Sequence, residues 1–350
     1  MDNYGGLYVT GSSEAAVTGF DFITLKFDTS GVLIWDSRYD FNHRVDVAAD
    51  ILTDPRGSII TVTGGSEDSM GIWDYTTITY DMFGSETDVN REPSGNDIKK
   101  PRDIVRDNNG NYYITGVYNN GTDDDIKLIK LDSTLNTVWV SVYNNSGGGT
   151  NEESNALSID ENGYFYIGGW QQNPGAEERT FLILKFDQNG DFIWEQTLWP
   201  DENKPISEAT DFNISGDYVN VIGFCSNSKN SDIVTSRYTT DDGELDFIKI
   251  WENSLHSIDY PSDIVQDGQD IYVSGRTTDN YGVHWVIVKY SLHELDTALL
   301  IDTTGKAICA KNQLIVRFDD KVVRPETTNN TNSKSIEFGT ISDFFKRFSR

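Results

Sequence analysis

Aspartate is the residue type in this chain best suited to chemistry. Loops written Asp-x-x-Gly recur as "DNNGN" from Asp107, "DENGY" from Asp160 and "DQNGD" from Asp187, and "GTDDDIK" from Gly121 sets Asp123, Asp124 and Asp125 side by side. Such carboxylates suit a hard cation, calcium above all, which takes about six to eight oxygen ligands. A helix-loop-helix calcium site closes on a glutamate at its twelfth position. The twelfth residues from Asp107 and Asp160 are Tyr118 and Gln171. The loops therefore read as tight turns, where Asn, Asp and Gly accept the backbone angles required. The aspartate run reads as a solvated loop. No cofactor is expected, and calcium stands as the alternative reading of the acidic loops.

Other reactive groups are sparse. His43, His256, His284 and His293 show neither H-x-H nor H-E-x-x-H spacing, so no zinc or other metal ligand is nominated. There is no G-x-S-x-G and no G-x-x-x-x-G-K-[ST]. Fifty-six acidic residues against 28 basic give a net charge of −28, so carboxylate pairs are too plentiful to name an acid and a base. No catalytic residue is nominated. The charge disfavours nucleic acid and anionic lipid as partners, keeps the chain soluble and suits a monomer. Cys225 and Cys309 lack C-x-x-C spacing and read as small buried side chains. No 18-residue apolar run predicts a membrane helix, and "MDNYGGLYVTG" reads as folded-domain sequence rather than an export signal.

The elements that position these residues are strands. "GGLYVTG", "NGNYYITG" and "NGYFYIGG" are versions of one phrase, whose final glycine falls at Gly11, Gly64, Gly116, Gly169, Gly223 and Gly275, at spacings of 53, 52, 53, 54 and 52. A period near 50 points to a propeller or a solenoid. After each glycine comes a strand, a tight turn and another strand, as in "DFITLKFDTSGVLIW" from Asp21 and "TFLILKFDQNGDFIW" from Thr180. Before the phrase comes a further strand: "ADILTD" from Ala49, "RDIVRD" from Arg102, "NALSID" from Asn155, "TDFNIS" from Thr210 and "SDIVQD" from Ser262. Four antiparallel strands per repeat describe a propeller blade. The expected fold is all-β: a β-propeller of six four-stranded antiparallel blades of about 53 residues. The repeat units run 1–48, 49–101, 102–154, 155–209, 210–261 and 262–312.

Counting back one period from Ile51 passes the first residue, so the first blade lacks its first strand. Counting forward from Ile264 reaches "QLIVRFDD", so Leu314 to Phe318, within 313–319, is expected to pair into the first blade and close the ring. The propeller then covers 1–319, and 320–350 is a polar linker with a short C-terminal segment. Residues from Asn312 onward also resemble the start of a subtilisin-type propeptide, a second reading in which a truncated module begins there. Trp35, Trp139 and Trp194 hold matching places on the outermost strand and read as wedges between blades, each burying roughly 200 Å2. "SETDVNRE" and "ELDFIKIW" break that pattern in the second and fifth repeats. The loops after each repeat glycine differ, and three bring Trp73, Trp170 and Trp285 there. These rings either form a ligand-binding face or cap blade edges.

"DNNGNYYITG", "DENGYFYIGG", "TLKFDTSGVLIW" and "ILKFDQNGDFIW" resemble the bacterial β-propeller repeats called SBBP, over roughly residues 2–312. The resemblance implies a secreted or cell-surface protein and carries no catalytic residues. The expectation is a non-catalytic scaffold that binds protein or glycan. The alternative is a propeller enzyme, a lyase or hydrolase, with its site at one end of the central channel.

Overall fold

In a computed structural model of the chain the described residues are 1–15, 19–93, 100–145, 149–172, 175–252, 257–279, 282–292, 298–301, 307–310 and 314–315, and every regular element among them is a β-strand. The chain divides into two units, Met1–Leu198 and Trp199–Arg350.

In the first unit, β1 (Leu7–Ala15), β2 (Gly19–Phe27) and β3 (Leu33–Tyr39) make a three-stranded sheet. Three four-stranded sheets follow. They are β4 (Asp46–Thr53), β5 (Ile59–Glu67), β6 (Trp73–Asp81) and β7 (Glu86–Pro93); β8 (Pro101–Arg106), β9 (Tyr112–Asn119), β10 (Asp124–Leu131) and β11 (Thr137–Tyr143); and β12 (Asn151–Ile159), β13 (Phe165–Gln172), β14 (Thr180–Phe186) and β15 (Phe192–Leu198). All neighbours within these sheets are antiparallel.

The second unit repeats the pattern with β16 (Ile206–Ser215), β17 (Tyr218–Ser226), β18 (Ser231–Thr239) and β19 (Leu245–Trp251), then β20 (Ile258–Asp267), β21 (Asp270–Asp279) and β22 (Gly282–Ser291). A single parallel pair, Ser231 with Ile258, joins the two halves into one sheet. β23 (Ala298–Ile301), β24 (Ala307–Ala310) and β25 (Leu314–Ile315) extend it beyond β22.

The first sheet thus lacks the opening strand of its relatives, as the spacing predicts. The closing strand does not follow the prediction. Leu314 and Ile315 pair with Lys289 and Val288 of β22. After three strands, β22 leaves its far edge open, and that edge accepts the next extended segment of chain. Residues 316–318 of the expected strand lie outside the described residues.

The phrase "NGNYYITG" is a turn locked onto its own strand. The Asp107 carboxylate Oδ1 accepts the amides of Asn109 and Asn111, each at 2.8 Å, and Gly110 takes φ 89°. The Tyr113 hydroxyl donates to Asp107 Oδ2 at 3.0 Å. Tyr8 with Asp2 and Tyr166 with Asp160 repeat the bond at 2.9 and 3.2 Å.

The repeat glycine answers a different need. Opposite it, the preceding strand carries a β-bulge, between Ala48 and Asp50, Pro101 and Asp103, Ser154 and Ala156, and Pro261 and Asp263. The bulge pushes backbone against the glycine. A Cβ on Gly64, Gly116, Gly169 or Gly275 would meet a carbonyl oxygen at 2.4, 2.6, 1.8 or 2.5 Å. Gly11, in the sheet without that strand, has nothing within 4 Å.

In the first unit the apolar core lies between successive sheets. Tyr8 and Phe22 pack with Ile60, Val62 and Ile78, and Tyr113, Ile126 and Leu128 pack with Phe165, Ile167 and Leu182. At the outer strands Trp35 Nε1 donates to Met82 O at 3.1 Å, and its ring lies where a Gly84 side chain would go. Trp139 lies over Gly190 in the same way, so both serve as wedges. Trp194 is buried beside Tyr166. In the second sheet the equivalent place, opposite Thr79 of β6, is Asp88, and the facing turn carries Leu135 at φ 59° where the others carry glycine. Asn90 Nδ2 donates to the Leu135 carbonyl at 2.9 Å. The missing tryptophan and the missing glycine are one compensated change: a side chain in the turn fills the space an indole would need.

Candidate functional site

Titratable groups gather at three levels of these sheets. At the hairpin turns the aspartates are occupied by the turns themselves. Bonds from the Asn136 side chain, the Asn136 amide and Thr134 push Asp132 down to about 2. Asp28, Asp81 and Asp187 accept turn amides in the same way. A cleft of about 670 Å3 opens at the β8–β9 turn, lined among others by Asp54, Arg106, Asp107 and Ser158. Its two aspartates are also bound by turn amides.

On the first strands, aspartates after the bulge staple one sheet to the next. Asp50 accepts the Ile104 amide at 3.3 Å and Asp103 accepts the Leu157 amide at 2.7 Å. Burial, and then the neighbouring Asp50, hold Asp103 well above the ordinary carboxylate range. In the second unit burial pushes Asp211 up to about 7, with Asp263 adding to it.

The third level lies at the variable-loop end. Asp21, Asp125 and Asp232 begin equivalent strands, each opposite the residue two past a repeat glycine: Ser13, Tyr118 and Cys225. Asp46, Glu152 and Asp259 are equivalent on the following sheet's first strand, each two residues before the partner of a repeat glycine. The result is three acid pairs, Asp21 with Asp46, Asp125 with Glu152 and Asp232 with Asp259, and all six residues are buried.

Burial, with Asp40 and Asp21 adding to it, pushes Asp46 up to about 6. Asp21, Asp40 and Asp46 each bring a carboxylate oxygen within 4.8 Å of the others, and Arg38 Nη1 lies 2.7 Å from Asp21. Burial, and then the Asp125 charge, push Glu152 up to about 8, partly offset by the Asn145 amide. Neither Glu152 oxygen has a well-formed hydrogen bond, nor does Asp125 Oδ1.

The run Asp123–Asp125 is thus not the solvated loop its composition suggests. Asp123 and Asp125 are buried because the Asn120 side chain donates to both, and the Gly149 amide donates to Asp123 at 2.6 Å. Periodicity held the signal for these pairs, an acid at the same register in the first, third and fifth repeats, with Asp74 sharing that register in the second. Local sequence shows neither the bulge nor the partner strand.

The three nominated tryptophans do not share a setting. Trp73 and Trp170 are 5% exposed, with Lys100 Nζ 4.5 Å and the Arg179 guanidinium 4.1 Å from their ring centres. Those rings cap strand ends. Trp285 is 64% exposed and offers a free-standing indole face on β22. Cys225 is buried as a free thiol, which burial pushes up to about 11. Of the histidines, His43 Nδ1 lies 2.6 Å from Asp40 Oδ2, while His256 and His293 lie outside the described residues.

No known protein family matches the chain by sequence, and no curated protein matches it. Solved structures do. An ulvan lyase, described as a new family of polysaccharide lyase and bound to -[GlcA(1-4)Rha3S]-, aligns over 81% of this chain and 78% of its own at TM-score 0.56 and 9% identity. A second structure of ulvan lyase aligns over 84% and 80% at TM-score 0.57 and 10% identity. The β-propeller domain of the Trilobed protease from Pyrococcus furiosus aligns over 90% of each chain at TM-score 0.47 and 7% identity. The structural neighbours are β-propeller folds, and the present chain is all-β with propeller-like four-stranded antiparallel sheets.

Proposed function

We propose that the protein is a non-catalytic binding scaffold, a β-propeller of six blades of about 53 residues acting outside the cell or at its surface. The observation that carries this reading is the division of labour at the variable-loop end. There the six paired acids are buried, while the first, second and sixth repeats present large apolar side chains to solvent among their polar loop residues, and these differ between repeats. They are Phe20, Met70 and Ile72 in the first unit, and Val283 and Trp285 in the second. Exposed apolar and aromatic groups on a rigid sheet frame suit recognition of protein or of a sugar face. The location and the SBBP affiliation are supported by the repeat phrases and their resemblance. A charge of −28 favours a neutral or cationic ligand over a polyanion.

A second reading, a lyase or hydrolase, draws on Glu152, a carboxyl held protonated near neutral pH beside Asp125. Its complete burial counts against this reading, because a general acid has to reach its substrate.

Affinity electrophoresis in gels containing neutral or anionic polysaccharides, with assays for new reducing ends and unsaturated uronate, separates the two readings. The scaffold reading expects retarded migration in a neutral polysaccharide, lost in Trp285→Ala, with no product. Product formation abolished by Glu152→Gln overturns it in favour of the enzyme.

A further inference from the structure

The three acid pairs occupy one repeat-equivalent place, yet only two contain a cation supplied by the chain. Arg38 serves the first pair, and Lys204, itself buried, pairs with Asp232 in the third. Among the described residues no Lys, Arg or His forms an ion pair with Asp123, Asp125 or Glu152.

Three buried oxygens there have no well-formed hydrogen bond, Asp125 Oδ1 and both oxygens of Glu152, whose side chain is wholly shielded from solvent; the Asn145 amide and the Asn144 side chain are the nearby donors. Two carboxyls buried side by side are neutralised either by a proton, as on Glu152 in the ion-free chain, or by a bound cation that displaces it. The groups around them are already fixed. Asn120 Nδ2 holds Asp125 Oδ2 at 2.9 Å and also bonds Asp123, and the Gly149 amide holds the other Asp123 oxygen. The unused donors are all hard oxygens, with no nitrogen or sulfur among them, which is the chemistry of calcium rather than of zinc or copper.

We propose that Asp125 and Glu152 bind a divalent cation of the calcium class, which takes the place filled by Arg38 and Lys204 at the two equivalent pairs. The two carboxylates supply part of the oxygen shell and water supplies the remainder.

The test is calcium binding to the full chain by isothermal titration in 100 mM salt, with magnesium as a comparison ion. Salt and magnesium suppress diffuse attraction to the acidic surface. One calcium per chain is expected, with affinity at least about tenfold weaker in Glu152→Gln and in Asp125→Asn. Asp46→Asn, at the pair that already holds Arg38, keeps the wild-type affinity. In EDTA, Glu152→Gln melts at or above the wild-type temperature, which separates lost binding from lost folding. Should wild type bind no calcium, a proton neutralises the pair and the proposal is wrong. Undiminished binding in both carboxamide variants places the ion elsewhere and is equally fatal.

Discussion

The Trp35 indole lies where the side chain of residue 84 would stand: a Cβ on Gly84 would come within 2.8 Å of the ring. The turn of one sheet is therefore the floor on which the previous sheet's tryptophan rests. Gly84 also takes φ 84°, so alanine there meets both a clash and an unfavourable backbone. Gly84→Ala is expected to cost about 2–4 kcal/mol, the sum of left-handed strain and overpacking. Gly31 takes φ 81° with nothing within 4 Å, so Gly31→Ala carries the strain alone, about 1–2 kcal/mol. Urea denaturation of the two variants measures the difference, and equal losses would remove the indole from the explanation.

The repeat glycines give a second contrast. In Gly64→Ala the new methyl meets Val47 O and the Phe22 ring, both at 2.4 Å, and a loss of about 3 kcal/mol or more is expected. Gly11 is the same residue in the same phrase without a bulged neighbour, and Gly11→Ala is expected to change stability by less than about 0.5 kcal/mol. A large loss at Gly11 would mean that another strand covers β1 in solution.

Removing the hydroxyl in Tyr113→Phe leaves Asp107 Oδ2 without one of its donors while Asn111 Nδ2 remains at 2.8 Å. The expected loss is about 1 kcal/mol, that of a hydrogen bond to a charged, partly solvated acceptor. Asp107→Ala removes the turn's acceptor as well and should lose more, measured by thermal melting at pH 7.

Glu152 sets the sign of a pH response. Its folded value near 8 lies above the unfolded value of about 4.3, so the folded state holds the extra proton between them. Its contribution is complete below about pH 4.3 and is lost as pH rises through 8. Asp123, Asp125 and Glu195 oppose its ionisation and the Asn145 amide favours it. In calcium-free buffer the melting temperature is expected to fall from pH 5 to pH 9 and to fall less in Glu152→Gln. Asp46 acts in the same direction over a lower range, between its unfolded value and about 6. Turn aspartates such as Asp132 act oppositely, losing their contribution only in strong acid. An identical slope in the Glu152 variant would assign the response to other groups.

The strands and turns were legible because their causes are local. Alternation in "NYYITG" and the Asp-x-x-Gly turns act within about ten residues, and they recur often enough to reveal the period. The absent first strand followed from counting alone. The pairing of Leu314 and Ile315 was not legible, because "QLIVRF" fits any open edge and sequence does not say which edge is nearer. Trp73 and Trp285 look alike in sequence, yet a cation and neighbouring strands cover the first. The acid pairs escaped notice because Asp125 and Glu152 sit in different sheets, and in an acidic chain only their shared register distinguishes them.

Those pairs impose a longer wavelength on the molecule than its architecture does. Asp21, Asp125 and Asp232 are 104 and 107 residues apart, twice the spacing of the glycines, and the intervening repeats place Asp74, Thr180 and His284 at that register. Asp74 keeps the acid in the second repeat, and what marks the odd repeats is a second buried acid on the following first strand, Asp46, Glu152 or Asp259, so the chemical unit is a doublet, odd followed by even. An array assembled from one averaged repeat would preserve the strands while erasing that alternation. An artificial relative of this chain has to be built in twos.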